Sequence, residues 1–155
     1  MQEVVRDADA VCCVFGPRRP YTDIFCASAT RAVIAAMTAT GRRRLLCVTG
    51  AMVGHVPSRS RAMSGLVAFE HWSRPQMLLD RIEQEDAVLG SALDWTVVKP
   101  PRLTEGNPTG QVAAGPDVPV GLFSSISRAD LGAFMLDAVG DPAFVRQRVI
   151  VKNRG

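Results

Sequence analysis

No apolar run in this 155-residue sequence reaches the roughly 18 residues that a membrane span needs. The start, Met1-Gln2-Glu3-Val4-Val5-Arg6-Asp7, has neither the basic segment nor the apolar core of a signal peptide, so a cytoplasmic location is expected. A dominant charge is lacking too. Eighteen Lys and Arg against fifteen Asp and Glu leave a scattered +3, which speaks against a nucleic-acid partner. Neither His55 and His71 nor Cys12, Cys13, Cys26 and Cys47 fall at metal-ligand spacing, so no metal is expected. Without a secretion signal the cysteines read as buried free thiols. No G-x-S-x-G elbow occurs, and Ser64-Gly65 reads as loop, which argues against a hydrolase of that kind.

What is present suits one ordered α/β domain over residues 1–155, with no repeat and no low-complexity tract. Apolar runs of strand length lie at Ala10–Phe15, Leu45–Thr49, Trp95–Val98 and Arg148–Val151. They are nearly continuous, as strands covered on both faces should be. Between them the spacing predicts helices. Ala29, Ala32, Val33, Ala36 and Met37 form one stripe, with Gly41 as its C-terminal cap. In residues 76–89, Leu78, Ile82 and Leu89 are expected to share the buried face, and Arg81, Glu83 and Glu85 the solvent. Ser127-Arg128-Ala129-Asp130 has a capping-box form, and Leu131, Phe134, Met135 and Ala138 follow at helical spacing until Gly140-Asp141-Pro142. Arg42-Arg43-Arg44 reads as a solvated cap at the first helix's C-terminus. Residues 100–125, crowded with Pro and Gly, read as a long irregular loop. Alternating strands and helices imply a mainly parallel sheet with helices on both faces.

In such a sheet ligands bind beyond the carboxyl ends of the strands. Those ends carry Phe15-Gly16-Pro17, Thr49-Gly50-Ala51 and Lys99-Pro100-Pro101-Arg102. Gly16 and Gly50 leave backbone bare for a ligand, Thr49 adds a hydroxyl, and the two prolines fix the chain without offering an N–H. The three segments predict one shared pocket. Arg18 and Arg19, just past the first of them, are placed either to reach a phosphate or to form a plain exposed loop.

The same segments carry a resemblance. Asp9-Ala10-Val11 with Phe15-Gly16, Thr30–Met37 through Gly41, and Leu46–Ala51 are similar to consecutive elements of the atypical short-chain dehydrogenase/reductases. The nearest branch is the NAD(P)H-binding, NmrA-like one, which includes flavin and biliverdin-IXβ reductases. Leu93–Gly106 with Thr109-Gly110, and Ile126–Leu136, are the most specific matches, and the resemblance covers residues 8–152.

It implies a Rossmann-like fold and a bound NADPH or NADH. Phe15 and Gly16 would line the adenosine side, and Pro17 and Lys99 would also touch the cofactor. Thr49, Gly50 and Ala51 would face the nicotinamide region, with Pro100, Pro101 and Arg102 around the nicotinamide and substrate, and Thr49 and Arg102 would be the catalytic pair. The substrate implied is a small acceptor such as a flavin. Gly50 stands where the reductases have Ser, and Arg102 where the biliverdin-reducing relative has His, which argues against a bilin. Tyr21, the one tyrosine, has no Lys at the Tyr-x-x-x-Lys spacing of ordinary short-chain dehydrogenases.

The family's opening G-x-x-G-x-x-G turn has no counterpart here, so the chain is expected to be N-terminally truncated by about 60 residues and to bind dinucleotide weakly. The strand over 10–15 would then lie at an open sheet edge and favour self-association. Three readings follow: a reductase, a non-catalytic dinucleotide-sensing or interaction protein, and an inactive truncated paralogue.

Overall fold

Each of the four apolar runs becomes a strand of one sheet. The computed structural model describes residues 2–17 and 24–154; Arg18, Arg19 and Tyr21 lie outside the described residues. A short helix α1 (Gln2–Arg6) leads to β1 (Ala10–Cys13), α2 (Cys26–Thr40) and β2 (Arg44–Val48). Two helices, α3 (Arg61–Ser73) and α4 (Pro75–Leu89), precede β3 (Asp94–Lys99). Short strands β4 (Arg102–Thr104), β5 (Val112–Gly115) and β6 (Ser125–Ser127) then lead to α5 (Arg128–Gly140) and β7 (Gln147–Asn153).

The main sheet runs β1-β2-β3-β7-β5, and β4 pairs with β6 beside it. Pairing is parallel from β1 to β7, and β5 alone runs antiparallel, against β7. This is the mainly parallel, Rossmann-like architecture that the sequence implies.

Burial on both faces explains the continuous apolar runs. Along β2, Leu46 and Val48 pack with Val98, Val149 and the α5 residues Leu131, Phe134 and Met135. Leu45 and Cys47, one residue out of step, pack instead with Val97, Met37 of α2 and Val88 of α4. Residue alternation along an extended chain thus serves two cores at once. Gly41, at φ 71°, closes α2 by donating to Met37 and Thr38 carbonyls, and Ser127 caps α5 by accepting from the Asp130 N–H at 2.9 Å.

Five expectations need correction. The first strand ends at Cys13 rather than Phe15, because its register with β2 stops at the Cys13–Cys47 pair. Residues 100–125 are not structureless, since β4 and β5 form there. Ser64-Gly65 lies inside α3, a helix whose one buried residue is Met63, so no apolar stripe announced it. Cys12 is exposed, whereas Cys13, Cys26 and Cys47 are buried. Arg44 is not a solvated cap of α2. It is half-buried and donates to Val139 O at 3.0 Å and to Ala138 O, satisfying carbonyls at the C-terminus of α5.

A sixth correction bears on function. The buried face of α4 holds Asp80, Arg81, Gln84 and Glu85 beside Leu78 and Val88, while Ile82 and Leu89 are half-buried. Polar side chains tolerate such burial only when their hydrogen bonds are met. Asp80 accepts from the Cys26 and Ala27 N–H groups at 2.9 and 3.0 Å, capping α2 from a distant helix. Gln84 donates to Thr30 and to the Cys47 sulfur.

Candidate functional site

Parallel pairing brings the carboxyl ends of β1, β2 and β3 to one side of the sheet. The ladder between the last two continues past the strands: Thr49 N–H donates to Val98 O at 3.0 Å and Ala51 N–H to Pro100 O at 2.8 Å. Gly50 lies between them at φ 132°, a conformation that side chains disfavour. The turn is therefore held flat against Pro100 with its backbone bare. Arg59 braces it from below, donating to Ala51 O and Gly54 O.

Above these ends opens a crevice of about 680 Å³. Seven of the residues singled out from sequence line it together: Pro17, Thr49, Gly50, Ala51, Pro100, Pro101 and Arg102. Phe15, Gly16 and Lys99 are not among its lining residues. Phe15 offers its carbonyl to Arg81 at 3.3 Å, and a Cβ at Gly16 would stand 3.9 Å from the same guanidinium. Lys99 pairs with Glu85 at 2.5 Å, both groups almost wholly buried.

The far wall and the floor are built from residues that were not singled out from sequence as site residues. Met63 and Leu66 of α3, Met77 and Leu78 of α4, and Leu122 give the crevice an apolar side. Arg81 forms part of the floor. Besides Phe15 O it donates to Val48 O at 3.2 Å and to Thr49 O, so one cation clasps the ends of β1 and β2 where the strands part. Its positive charge sits where an anionic ligand group would be favoured.

Glu85, one helical turn on, accepts from the Thr49 hydroxyl at 3.1 Å and from Lys99 with the same oxygen. Its other oxygen is 3.3 Å from Arg148. Burial pushes the Lys99 ammonium below the ordinary lysine range, against the pull of Glu85. The Thr49 hydroxyl is thus spent on Glu85, while Arg102 is exposed at the crevice. The signal for Arg81 and Glu85 was their spacing: with Leu78 and Val88 they repeat every three or four residues, on one helix face.

For a flat ring with an anionic tail, this lining is suitable in kind. Gly50 permits close approach, Pro100 and Pro101 give surface without a competing donor, and Arg81 supplies a fixed cation. In kind, these residues suit part of a dinucleotide.

Solved structures share the fold. An anaerobilin reductase, ChuY, from Escherichia coli O157:H7 superposes with a TM-score of 0.76 at 19% identity, over 97% of this chain and 68% of that one. A short-chain dehydrogenase/reductase from Veillonella parvula, solved with NADP, gives 0.74 at 17% identity, over 99% of this chain and 67% of that one. The oxidoreductase YlbE from Lactococcus lactis gives 0.76 at 14% identity, over 99% and 66%. This chain thus spans about two thirds of the length of each. No curated protein matches the sequence significantly. A family model described as NAD(P)H-binding matches residues 1–142. The chain therefore belongs to the NAD(P)H-binding family, as its resemblance to the NmrA-like proteins implied.

Proposed function

We propose that this chain is a dinucleotide-binding domain that works as an NAD(P)H-dependent reductase, with a flat acceptor such as a flavin as substrate. The observation that carries the reading is the convergence of three separate strand ends on one crevice with bare backbone at Gly50 and a fixed cation at Arg81. When bound, the dinucleotide supplies a hydride. The protein's part is to orient and to exclude water: Met63, Leu66, Met77 and Leu122 would cover the acceptor, and Arg102 would meet an anionic group at the mouth. The family likeness and the neighbouring reductase folds support this reading.

A second reading, binding without turnover, draws on the engagement of the Thr49 hydroxyl by Glu85, which leaves the crevice without a ready proton donor there. NADPH and NADH titrations, followed by NADPH oxidation with and without flavin mononucleotide, separate the two. Saturable binding with flavin-dependent oxidation is the expected result. Binding without oxidation would favour the second reading, and no binding would remove both.

We also propose self-association through β1. Among the described residues β1 is bonded on one side only, to β2, and Cys12 and Val14 beside that edge are exposed. A concentration-dependent mass in sedimentation, abolished by Cys12→Lys, is expected; a monomer at all concentrations would refute it.

A further inference from the structure

A second cavity, of about 450 Å³, lies against the main sheet and shares no lining residue with the crevice. Its floor comes from β3 and β7. The register pairs Val97 with Arg148 and Lys99 with Ile150, so these side chains fall on the face that Val97 shares with α2 and α4. Trp95, two residues before Val97, lies on the same face and also lines the cavity.

The cavity is rich in positive charge. Lys99, Arg146 and Arg148 line it against Asp117 alone. Beneath it, Glu85 is the single carboxylate that Lys99 and Arg148 share, at 2.5 and 3.3 Å. One carboxylate cannot neutralise both, and Arg146, whose charge also acts on Asp94, adds a further cation at the rim. Burial has been imposed on Lys99 without full compensation.

Backbone geometry at the rim points the same way. Arg146 is the one residue other than glycine with positive φ among the described residues, at 57°. Its N–H is anchored to Trp95 O at 2.6 Å. The left-handed conformation is unfavourable for a long side chain, and such strain gathers where side chains are aimed at ligands. Here it falls on a residue that lines the cavity together with Trp95 and Ile150.

We propose that this cavity is a second binding site, one that takes a small organic anion with a flat apolar body. The anionic end meets Arg146 and Arg148, and the body lies against Trp95 and Ile150. Because Lys99, Glu85 and Thr49 form a continuous chain of hydrogen bonds, the site backs directly onto the crevice.

Benzoate, benzyl alcohol and inorganic phosphate test the two requirements separately. The readout is the Trp95 indole N–H resonance, identified in the Trp72→Phe variant, whose changed residue lies on α3. Benzoate is expected to move that resonance along a saturable curve, with benzyl alcohol and phosphate each binding at least about tenfold more weakly. Arg146→Asn, which tolerates the positive φ, should weaken benzoate by about tenfold, and Arg148→Gln by a similar factor. No benzoate-dependent shift, an equal response to benzyl alcohol, or unchanged affinity in both variants would overturn the proposal. The NADPH titration reads the other cavity, which shares no lining residue with this one, so failure of either proposal is told apart from failure of the other.

Discussion

Against one face of the sheet, α5 presents Leu131, Phe134, Met135 and Ala138 to Leu46, Val48, Val98 and Val151. Against the other, α4 presents Asp80, Arg81, Gln84 and Glu85, all buried and almost all hydrogen-bonded to other elements. The first face is non-directional and depends on area removed from water. The second is directional: apart from the Gln84 side-chain oxygen, each group is aimed at a named partner, and losing one partner strands the other in a dry interior. The crevice is built on the second face. Packing alone would hold strands together, but fixing where their ends part requires Arg81 to reach three carbonyls and Glu85 to reach Thr49 and Lys99.

If that contrast holds, the largest loss should come from Glu85→Gln, which leaves the Lys99 ammonium buried without its counter-charge. A cost of about 3–5 kcal/mol is expected in urea unfolding. The double variant Glu85→Gln/Lys99→Met should recover a good part of it; if it is no better than the single change, the pair is not what the face depends on.

Leu131→Ala on the apolar face is expected to cost about 2–4 kcal/mol. Its effect should add to that of Glu85→Gln, because the two lie on opposite sides of the sheet. Strong non-additivity would show that the faces are one cooperative unit and weaken the contrast.

The smallest effect on stability is expected from Gly16→Val. The backbone there is not in the left-handed region, and a Cβ would meet only the Arg81 guanidinium at an ordinary contact distance. Stability should shift by no more than about 0.5 kcal/mol, while NADPH affinity falls at least about tenfold if the β1 end lies against the dinucleotide. Unchanged affinity would move the ligand away from β1.

This contrast also marks what could be read from the sequence. The α5 face was legible because its apolar residues repeat at helical spacing and its cap, Ser127, stands at the expected place. The strand ends were legible because Gly16, Gly50 and the Pro100-Pro101 pair punctuate the apolar runs. The α4 face was not, although its spacing was equally regular. Arg81 and Glu85 look solvated when hydropathy is the measure, and their partners, Phe15, Val48, Thr49 and Lys99, are 14 to 66 residues away. α3 escaped notice for the opposite reason. Leu66, Phe69 and Trp72 are exposed and Met63 is its one buried residue, so its apolar residues form no buried stripe.

Asp130 bears on how the Pro- and Gly-rich stretch behaves over time. Burial alone would raise its carboxyl, but hydrogen bonds from Asn153, Ser127, Gly110 and Thr109 outweigh that and hold it below the usual carboxylate range. Its two oxygens receive the Thr109 and Gly110 N–H groups at 2.8 and 2.9 Å and the Asn153 amide at 2.6 Å. A segment that is long by count is thereby pinned near its middle, and the entropy of closing one long loop becomes that of closing two short ones. The Thr109 and Gly110 amides should therefore exchange with solvent deuterium only when the start of α5 and the end of β7 let go together, which makes them slow clocks in a region whose composition suggests fast ones.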